Sequence, residues 1–322
     1  MKINLLACHG SSNAFILIDE VSGQNPLIPE RKRAQLSRVL CDREQGIGAD
    51  GVLYYRPSTV ADRMMRMYNP DGSEAEMCGN GLRCAGRYAI EEMQKDRVLI
   101  ETPQAKLSVS QVEPLMPGIP TYAAEIGPVS METKTLSMLT MHSLWSNRSI
   151  PGLPDRLRFT ALSIPNPHIV TFVEQIDERL VQRTGQTANN LAIFPQGVNL
   201  SFVKVMGQNA LFVITYERGV GITQACGTAM SAASYVSVQQ GHTQSAQPIK
   251  VYNKGGMVLC DVNTPEQRVI LQGNATYTER YQVTLDKNSI VERQVTGTYT
   301  LEQQAYAALQ AQAQQMMNTC KA

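Results

Sequence analysis

The stretch that organises this chain is Met67–Ala89, MYNPDGSEAEMCGNGLRCAGRYA. A tight turn at residues 69–72 (Asn-Pro-Asp-Gly) leads to Cys78 in a Cys-Gly-Asn-Gly tetrapeptide, and the residues that follow are typical of a helix. A second stretch, Tyr216–Tyr235 (YERGVGITQACGTAMSAASY), repeats the plan with a charged pair, glycines, Cys226 and a helix of small residues. The repetition predicts two similar lobes, and we expect their two cysteines to face one another across a cleft.

The composition suits a soluble globular protein of two domains. The chain has 322 residues, of which 43% are hydrophobic and 18% are charged. A net charge of +1 gives no electrostatic reason to expect nucleic acid or an anionic membrane as a partner. No apolar run approaches the roughly 20 residues that span a bilayer, and the N-terminus resembles a first strand more than a signal peptide. We therefore expect a cytoplasmic protein that acts on a small molecule.

The cysteine count indicates reduced thiols. An odd number of cysteines, scattered through a chain too large to need disulfides, is typical of a cytoplasmic protein. No His/Cys cluster has the spacing of a zinc site, and neither a dinucleotide fingerprint nor a strong pyridoxal phosphate signal is present, so we expect no metal and no cofactor. The seven cysteines are Cys8, Cys41, Cys78, Cys84, Cys226, Cys260 and Cys320.

The chain divides where proline and glycine are densest, at residues 113–130. We expect an N-terminal lobe over 1–125, a C-terminal lobe over 126–275 and an extension over 276–322, with the segment after residue 275 a candidate to complete the N-terminal lobe. Within the second lobe the spacing predicts a helix over 172–183. The extension should hold a strand over 281–299 and a helix over 301–319.

The predicted C-terminal helix carries apolar residues at helical spacing. Such a stripe is more typical of a packed or oligomer-forming helix than of a functional site. Its members are Leu301, Ala305, Ala308, Leu309, Ala313, Met316 and Met317.

Each of the two cysteines stands where a helix begins. A single free cysteine is most often a small buried hydrophobe. Here, however, a glycine follows each one and lets backbone N–H groups approach a ligand. The positive end of the helix dipole favours anions, so we expect it to lower both thiol pKa values towards neutrality. Gly79-Asn80 and Gly227-Thr228 would then grip a carboxylate from both ends.

Two thiols around one carboxylate suit a two-base reaction. One thiolate removes the Cα proton while the opposite thiol delivers a proton to the other face, which inverts the centre. The helix N-termini stabilise the charge that grows on the carboxylate, so no electron sink is required.

Several short motifs together resemble the diaminopimelate epimerase family over most of residues 1–275. Each motif is weak alone, but their number and order make chance agreement implausible. They are His9-Gly10-x-x-Asn13-x-Phe15; Arg43-x-x-Gly46-Ile47-Gly48-Ala49-Asp50-Gly51; Asn69-x-Asp71-Gly72-Ser73 running to Met77-Cys78-Gly79-Asn80-Gly81-x-Arg83-Cys84; Asn166-Pro167-His168; Gly197-x-Asn199; and Glu217-Arg218-Gly219-x-Gly221-x-Thr223-x-Ala225-Cys226-Gly227-Thr228.

The resemblance implies an α/β (α+β) fold of two pseudo-symmetric lobes, each a mostly antiparallel sheet wrapped around a central helix. It also implies cofactor-independent epimerisation of LL-2,6-diaminopimelate to the meso form, a step in lysine and peptidoglycan precursor biosynthesis. The partners would be an amino-acid substrate and, as a working expectation, a second copy of the chain in a homodimer.

The resemblance also assigns site residues by position. Cys78 and Cys226 would exchange the proton, and His168 and Glu217 would be the charged neighbours that tune them. The reacting amino group would be held by Asn13. The distal amino-acid end of the substrate would be read by Asn69, Asn166, Asn199 and Arg218.

Four of these residues also have a purely structural explanation. Asn69 and Asn199 border turns, where asparagine commonly bonds backbone groups. His168 after a proline is compatible with a simple loop histidine, and Arg218 beside Glu217 with a surface ion pair. Three amides and one arginine nevertheless form a reasonable set for a zwitterion, since a guanidinium binds a carboxylate with two hydrogen bonds.

The sequence departs from the family pattern at a few positions. Ser12 replaces a glycine, which should stiffen the first turn, and Ala14 replaces an acid near the reacting amine. Ala229 replaces a glycine after the second cysteine, Asn274 stands where a proline is usual, and the tail beyond about residue 280 matches nothing in the pattern.

These departures leave substrate identity open, so three other functions stay in view. The first is a racemase of histidine or of proline and hydroxyproline on the same fold, although proline racemases typically place His where this chain has Asn80. The second is a non-catalytic amino-acid-binding protein, which would need neither thiol. The third is a thiol redox protein, which the missing Cys-x-x-Cys pattern disfavours, although two facing thiols could form an inactivating disulfide under oxidation.

Overall fold

The computed structural model describes residues 1–75, 77–286 and 289–319 and divides the chain into two compact units. Unit 1 comprises Met1–Ala124 together with Gln272–Ala308. Unit 2 comprises Glu125–Leu271 and the described residues from Leu309 onward. The first division falls inside the proline- and glycine-rich run 113–130. Cys320 lies outside the described residues.

The elements up to the first division alternate short strands with two helices. In chain order they are β1 (Lys2–Gly10), β2 (Asn13–Asp19), α1 (Glu30–Cys41), β3 (Gly51–Arg56), β4 (Arg63–Tyr68), β5 (Glu74–Ala75), α2 (Gly79–Met93), β6 (Arg97–Glu101), β7 (Lys106–Val112) and β8 (Thr121–Ile126).

The remaining elements follow a largely irregular segment that contains one 3₁₀ turn (Thr133–Leu136). In chain order they are β9 (Thr160–Ser163), β10 (Pro167–Phe172), α3 (Glu178–Ala188), β11 (Asn199–Gly207), β12 (Ala210–Glu217), β13 (Gly221–Ile222), α4 (Gly227–Gln239), β14 (Ile249–Asn253), β15 (Gly256–Asn263), β16 (Arg268–Asn274), β17 (Thr276–Asp286), β18 (Ser289–Thr298) and α5 (Thr300–Thr319).

The two units repeat one strand plan. In unit 1, β2 pairs antiparallel with β1 and parallel with β3, β3 pairs antiparallel with β4, and β4 pairs antiparallel with β5 and parallel with β6. In unit 2, β10 pairs in the same way with β9 and β11, β11 with β12, and β12 with β13 and β14. The hairpins β6–β7 and β14–β15 then complete the match. The expected fold of two similar, mostly antiparallel lobes is therefore confirmed.

The cysteine-bearing helices are the buried centres of the two plans. In α2, the residues Gly79–Arg87 are all buried, and Gly86 lies so close to β7 that an added Cβ would stand 2.4 Å from Val109 Cγ1. In α4, every residue from Gly227 to Ser237 is buried, so this helix has no solvent face over most of its length. A helix buried on all sides needs small residues because the surrounding strands approach its backbone closely.

The predicted helix over 172–183 is wrong in its first half. Only Phe172 of that half belongs to a strand, as the last residue of β10, and residues 173–177 form neither helix nor strand. Helix α3 begins only at Glu178, where the Asp177 carboxylate accepts a hydrogen bond from the Arg179 N–H and so caps the helix.

The segment after residue 275 supplies elements to both units. Strand β17 pairs antiparallel with β1 and β18, so both strands belong to unit 1. Helix α5 confirms the predicted C-terminal helix. Its buried residues are Tyr306, Leu309, Ala313 and Met317, whereas Leu301 and Met316 of the predicted apolar stripe are exposed. Among the described residues, none of the helices has the length and apolar character needed to cross a membrane.

Candidate active site

The turn between β1 and β2 places Asn13 at the start of β2. Gly10 and Asn13 pair across a two-residue loop in which Ser11 has φ 53° and Ser12 has φ 64°. Positive φ at both positions is the geometry of a type I′ hairpin, which serine adopts at a cost relative to glycine or asparagine. The Asn274 side chain holds this turn, because its Oδ1 accepts a hydrogen bond from the Ser11 N–H at 2.7 Å.

Cys78 is the N-cap residue of α2. Its backbone is extended (φ −147°), and its Sγ accepts a hydrogen bond from the Gly81 N–H at 3.4 Å. The thiol is half-buried and lies 3.9 Å from Asn13 Oδ1. A sulfur at this position receives both an N–H donor and the positive end of the helix dipole, which stabilise a thiolate.

A hydrogen-bond network fixes the Asn13 side chain beside Cys78. Asn13 Nδ2 donates to Asp50 Oδ2 at 3.1 Å, which turns Oδ1 towards the Cys78 thiol and Asn80 Nδ2 (3.3 Å). Asp50 also accepts from the Ala14 N–H (2.9 Å) and pairs with Arg43 (2.6 Å). The carboxylate beside Asn13 therefore comes from Asp50, in the loop between α1 and β3.

Asn80 is in turn held by Arg83, which is fully buried in α2. The Arg83 guanidinium donates to Asn80 Oδ1 (3.0 Å) and Ser11 Oγ (3.1 Å), and its Nε donates to the Asn274 carbonyl (3.1 Å). It also reaches the Gly79 carbonyl at 3.5 Å. One side chain therefore ties the Ser11–Ser12 turn to the first turn of α2.

Asn69 lies in the turn that precedes β5. Its Nδ2 donates to Ser73 Oγ at 3.0 Å, and its backbone N–H donates to the Ser73 carbonyl at 2.8 Å. The structural role proposed for it, bonding within a turn, is therefore present.

In unit 2, Cys226 is the N-cap residue of α4 and is buried, with 8% of its surface exposed. Its Sγ lies 3.4 Å from Thr228 Oγ1, and Thr228 Oγ1 accepts from Asn166 Nδ2 at 3.4 Å. Gly227, the first helical residue, accepts a hydrogen bond at its carbonyl from Ser231 Oγ at 3.0 Å. Cys226, Thr228 and Asn166 are therefore linked.

The same chain of contacts continues to Arg218. His168 Nε2 lies 2.9 Å from Asn166 Oδ1 and 3.4 Å from Asn199 Nδ2, and Asn199 Oδ1 accepts from the Arg218 N–H at 2.9 Å. The parallel pairing of β10 with β11 sets His168 directly beside Asn199. Three of the four residues expected to read the distal end of the substrate are thus connected within unit 2.

The expected lowering of both thiol pKa values is wrong for Cys226. Burial and then the nearby Glu217 carboxylate raise the pKa of the Cys226 thiol well above its usual value, against the smaller opposing effects of Thr228 and the Ala229 N–H. Burial also raises the pKa of Glu217, while hydrogen bonds with Thr223 (2.5 Å) and Cys226 act the other way. The loss of water outweighs the helix dipole here, because an ion in an apolar site loses far more hydration energy than one helix end returns.

His168 is not the charged neighbour that the sequence suggested. It is fully buried, and burial followed by the charge of Arg218 lowers its pKa to about 3. The ring is therefore neutral near pH 7. Its Nδ1 has no hydrogen-bond partner among the described residues, which fits a neutral ring that accepts or donates through Nε2.

Four residues of these networks escaped the functional interpretation of the sequence: Asp50, Arg83, Thr223 and Asn274. The first three belong to the motifs that carry the family resemblance, but the motifs gave no indication of their hydrogen-bond partners. Asn274 had been noted only as a departure from the family pattern, yet it holds both His9 and Ser11. Only the fold shows that position 274 lies beside the first turn.

The six cysteines that the structure describes carry free thiols. Within the described residues no group of three or more His, Cys, Asp or Glu side chains is arranged to hold a metal ion.

The chain matches a known family and known proteins over most of its length. The model of the diaminopimelate epimerase family matches residues 5–116 and 160–278. This chain belongs to that family. A diaminopimelate epimerase of Clostridium acetobutylicum is 42% identical over 294 residues (90% of this chain, 88% of that protein), and one of Listeria innocua is 39% identical over 326 residues (98% of each).

The fold is shared with more distant proteins. A hydroxyproline epimerase of Agrobacterium vitis, solved with bound trans-4-hydroxy-L-proline, matches with a TM-score of 0.61 and 15% identity, covering 89% of this chain and 93% of that one. This chain thus shares its fold with a protein of low sequence identity.

Proposed function

We propose that this protein epimerises LL-2,6-diaminopimelate to meso-diaminopimelate by two-base proton transfer without a cofactor, as a step in lysine and peptidoglycan precursor biosynthesis. The observation that carries the proposal is that each of the two repeated units caps its buried central helix with a cysteine, in a chain of the diaminopimelate epimerase family.

The two cysteines differ in how readily they lose a proton, and the difference suits one direction of the reaction. Cys226, buried beside Glu217, keeps its proton and is the proton donor. Cys78, half-buried and supplied with the Gly81 N–H, is the thiolate that removes the Cα proton. This transfer leaves Cys78 as the thiol and Cys226 as the thiolate, which is the protonation state from which the reverse direction starts. For the free enzyme to pass between the two states, Cys226 gives its proton to Glu217, whose pKa burial raises, and Cys78 takes a proton from water.

Substrate groups are assigned by donor and acceptor chemistry. Because Asn13 Nδ2 donates to Asp50, its Oδ1 faces the Cys78 thiol and Asn80 Nδ2, and there it accepts a hydrogen bond from the substrate ammonium. The backbone N–H groups at Gly79-Asn80 and Gly227-Thr228 bind the reacting carboxylate and stabilise it as the carbanion forms. Asn69, Asn166, Asn199 and Arg218 bind the second amino-acid end.

We further propose that the protein works in the cytoplasm, where the cysteines stay reduced, and as a homodimer. Light scattering on the purified chain tests the dimer.

Exchange of the substrate α-proton tests the function. In deuterated water, LL-diaminopimelate should gain deuterium and invert, whereas L-histidine and L-proline should do neither. Cys78→Ser and Cys226→Ser should each slow inversion by about 100- to 10,000-fold, because each direction needs both thiols. If histidine or proline inverts faster than LL-diaminopimelate, that amino acid is the substrate instead. A near wild-type rate in either variant would disprove the two-base scheme.

A further inference from the structure

A cavity lies in unit 1, apart from the residues proposed to bind the substrate. It has a volume of about 110 Å³. Because one water needs about 10–15 Å³ of such volume, the cavity admits a molecule of roughly seven to ten non-hydrogen atoms. Its lining includes Asn4, Leu6, Leu17, Asp19, Tyr88 and Arg280.

The register of three neighbouring strands places the main lining residues on one face of the sheet. Leu6 of β1 pairs directly with Leu17 of β2 on one side and with Arg280 of β17 on the other. Side chains of directly paired residues share a face, and so does Asp19, two residues beyond Leu17. The cavity therefore has an apolar floor of two leucines between a carboxylate and a guanidinium.

Both charges of the cavity lack a partner of opposite sign. Asp19 is only 6% exposed, and its oxygens accept from the Val21 N–H (2.7 Å), the Ser22 N–H (3.1 Å) and Tyr88 Oη (3.0 Å). Arg280 Nε donates to Tyr299 Oη at 2.7 Å. Neither residue forms an ion pair with any other part of the chain that the structure describes. A buried anion without a cation is costly, and a ligand that supplies one recovers that energy.

The wall of the cavity is held in place before any ligand binds. Asn25 is 9% exposed, and its Nδ2 donates to the carbonyls of Asn4 and Asp19, both at 3.0 Å. Its Oδ1 accepts from the Asn4 N–H at 2.7 Å. The loop after β2 is thereby fixed against β1, so little ordering is required on binding.

We propose that this cavity is a second, non-catalytic site that binds a zwitterionic α-amino acid with a small aliphatic side chain. Arg280 binds the carboxylate, Asp19 binds the ammonium, and the side chain packs on Leu6 and Leu17. A ligand with both charges satisfies both unpaired groups at once, whereas a simple anion or cation satisfies one and leaves the other.

Calorimetric titration of the full chain with L-valine, which has eight non-hydrogen atoms, tests the site. Isovalerate lacks the amino group and isobutylamine lacks the carboxylate, so both should bind at least about tenfold more weakly than L-valine. Arg280→Gln should weaken L-valine binding by about 10- to 100-fold. Tyr299→Phe removes the hydrogen bond to Arg280 but keeps the guanidinium, so it should bind L-valine as the wild type does.

Arg218→Gln separates this cavity from the proposed catalytic site. Binding of L-valine that survives Arg218→Gln and is lost in Arg280→Gln belongs to the cavity. The proposal is overturned if L-valine does not bind, if isovalerate binds equally well, or if the loss follows Arg218 or Tyr299 rather than Arg280. None of these results bears on inversion of diaminopimelate, which is measured separately.

Discussion

Cys78 and Cys226 occupy equivalent positions in sequence and in secondary structure but have different surroundings. Cys78 is half-buried and receives the Gly81 N–H. Cys226 is buried beside Glu217, so its thiol keeps its proton to higher pH. Equivalent local motifs therefore have different protonation properties, and the difference comes from how deeply each thiol is buried and from the carboxylate beside Cys226.

The pH profile of kcat/KM should report this difference in the variant Glu217→Gln. Glu217 raises the pKa of Cys226, so removing its charge lowers that pKa. In the direction that needs Cys226 protonated, activity is lost as pH rises through this pKa, and the alkaline limb should move to lower pH in the variant. Burial remains the larger cause, so the limb should stay above that of a free thiol. A limb that moves to higher pH would contradict the assignment.

His168 should make stability depend on pH below neutrality. Its pKa is lowered from 6.5 to about 3 in the folded chain, so its contribution is fully present above pH 6.5 and is lost as pH falls towards 3. In chemical denaturation, His168→Gln should flatten the fall in unfolding free energy by up to about 1.4 kcal/mol per pH unit over this range.

His9 supplies the matched control for that measurement. Burial lowers its pKa to about 4, so His9→Gln should flatten the same curve only down to about pH 4. An unchanged slope in His168→Gln would mean that the ring is protonated in the folded protein.

At the scale of elements, α2 and α4 are placed by close approach of strand to helix. The absence of a Cβ at Gly86 lets β7 lie against α2, and Gly185 of α3 likewise lies against Tyr216 of β12. Cys78 caps α2, so the position of its thiol depends on how closely this helix packs on the sheet. A shift of that helix would carry the thiol with it.

Gly86→Ala should therefore destabilise unit 1 and slow inversion. The new Cβ would stand 2.4 Å from Val109 Cγ1, and such overpacking costs about 1–3 kcal/mol in the free energy of unfolding. Val109→Ala makes room for it, so the double variant should lose less than the sum of the two single losses. If the losses of unfolding free energy measured with denaturant are strictly additive in the double variant, the side chains at positions 86 and 109 are not in contact.

At the scale of the whole molecule, the C-terminal segment is part of both units. Glu302 pairs with Arg87 through two hydrogen bonds of 2.6 and 2.8 Å and also accepts from the Tyr277 N–H. The ring of Tyr306 packs on that of His9, with 4.4 Å between the two ring centroids. Further along α5, Ala313 and Met317 belong to the apolar core of unit 2.

Two adjacent methionines test this placement. Met317 is 4% exposed and Met316 is 41% exposed. Met317→Ala should lower the free energy of unfolding by about 2–5 kcal/mol, because it leaves a cavity in the core of unit 2. Met316→Ala should change it by no more than about 0.5 kcal/mol. If thermal or denaturant unfolding shows equal losses of unfolding free energy for the two changes, α5 does not turn Met317 rather than Met316 towards the core.

Residues that are close together in the chain specify the local features of this protein. Glycine, asparagine and cysteine at Met67–Ala89 and Tyr216–Tyr235 predict a turn, a helix start and a thiol, since capping and turn geometry depend on residues that are close in the chain. The repeated order of such motifs predicted the two similar lobes, and the motifs as a set predicted the family.

The protonation and hydrogen bonding of those residues depend on their surroundings in the folded chain. The pKa values of Cys226 and His168 follow from burial, which a local pattern does not encode, and both differ from expectation. The hydrogen bond from the Ser11 N–H to the Asn274 side chain joins positions far apart in the chain. The stretch around Cys78 thus fixed the kind of chemistry, while packing and the removal of water fixed the protonation states on which that chemistry depends.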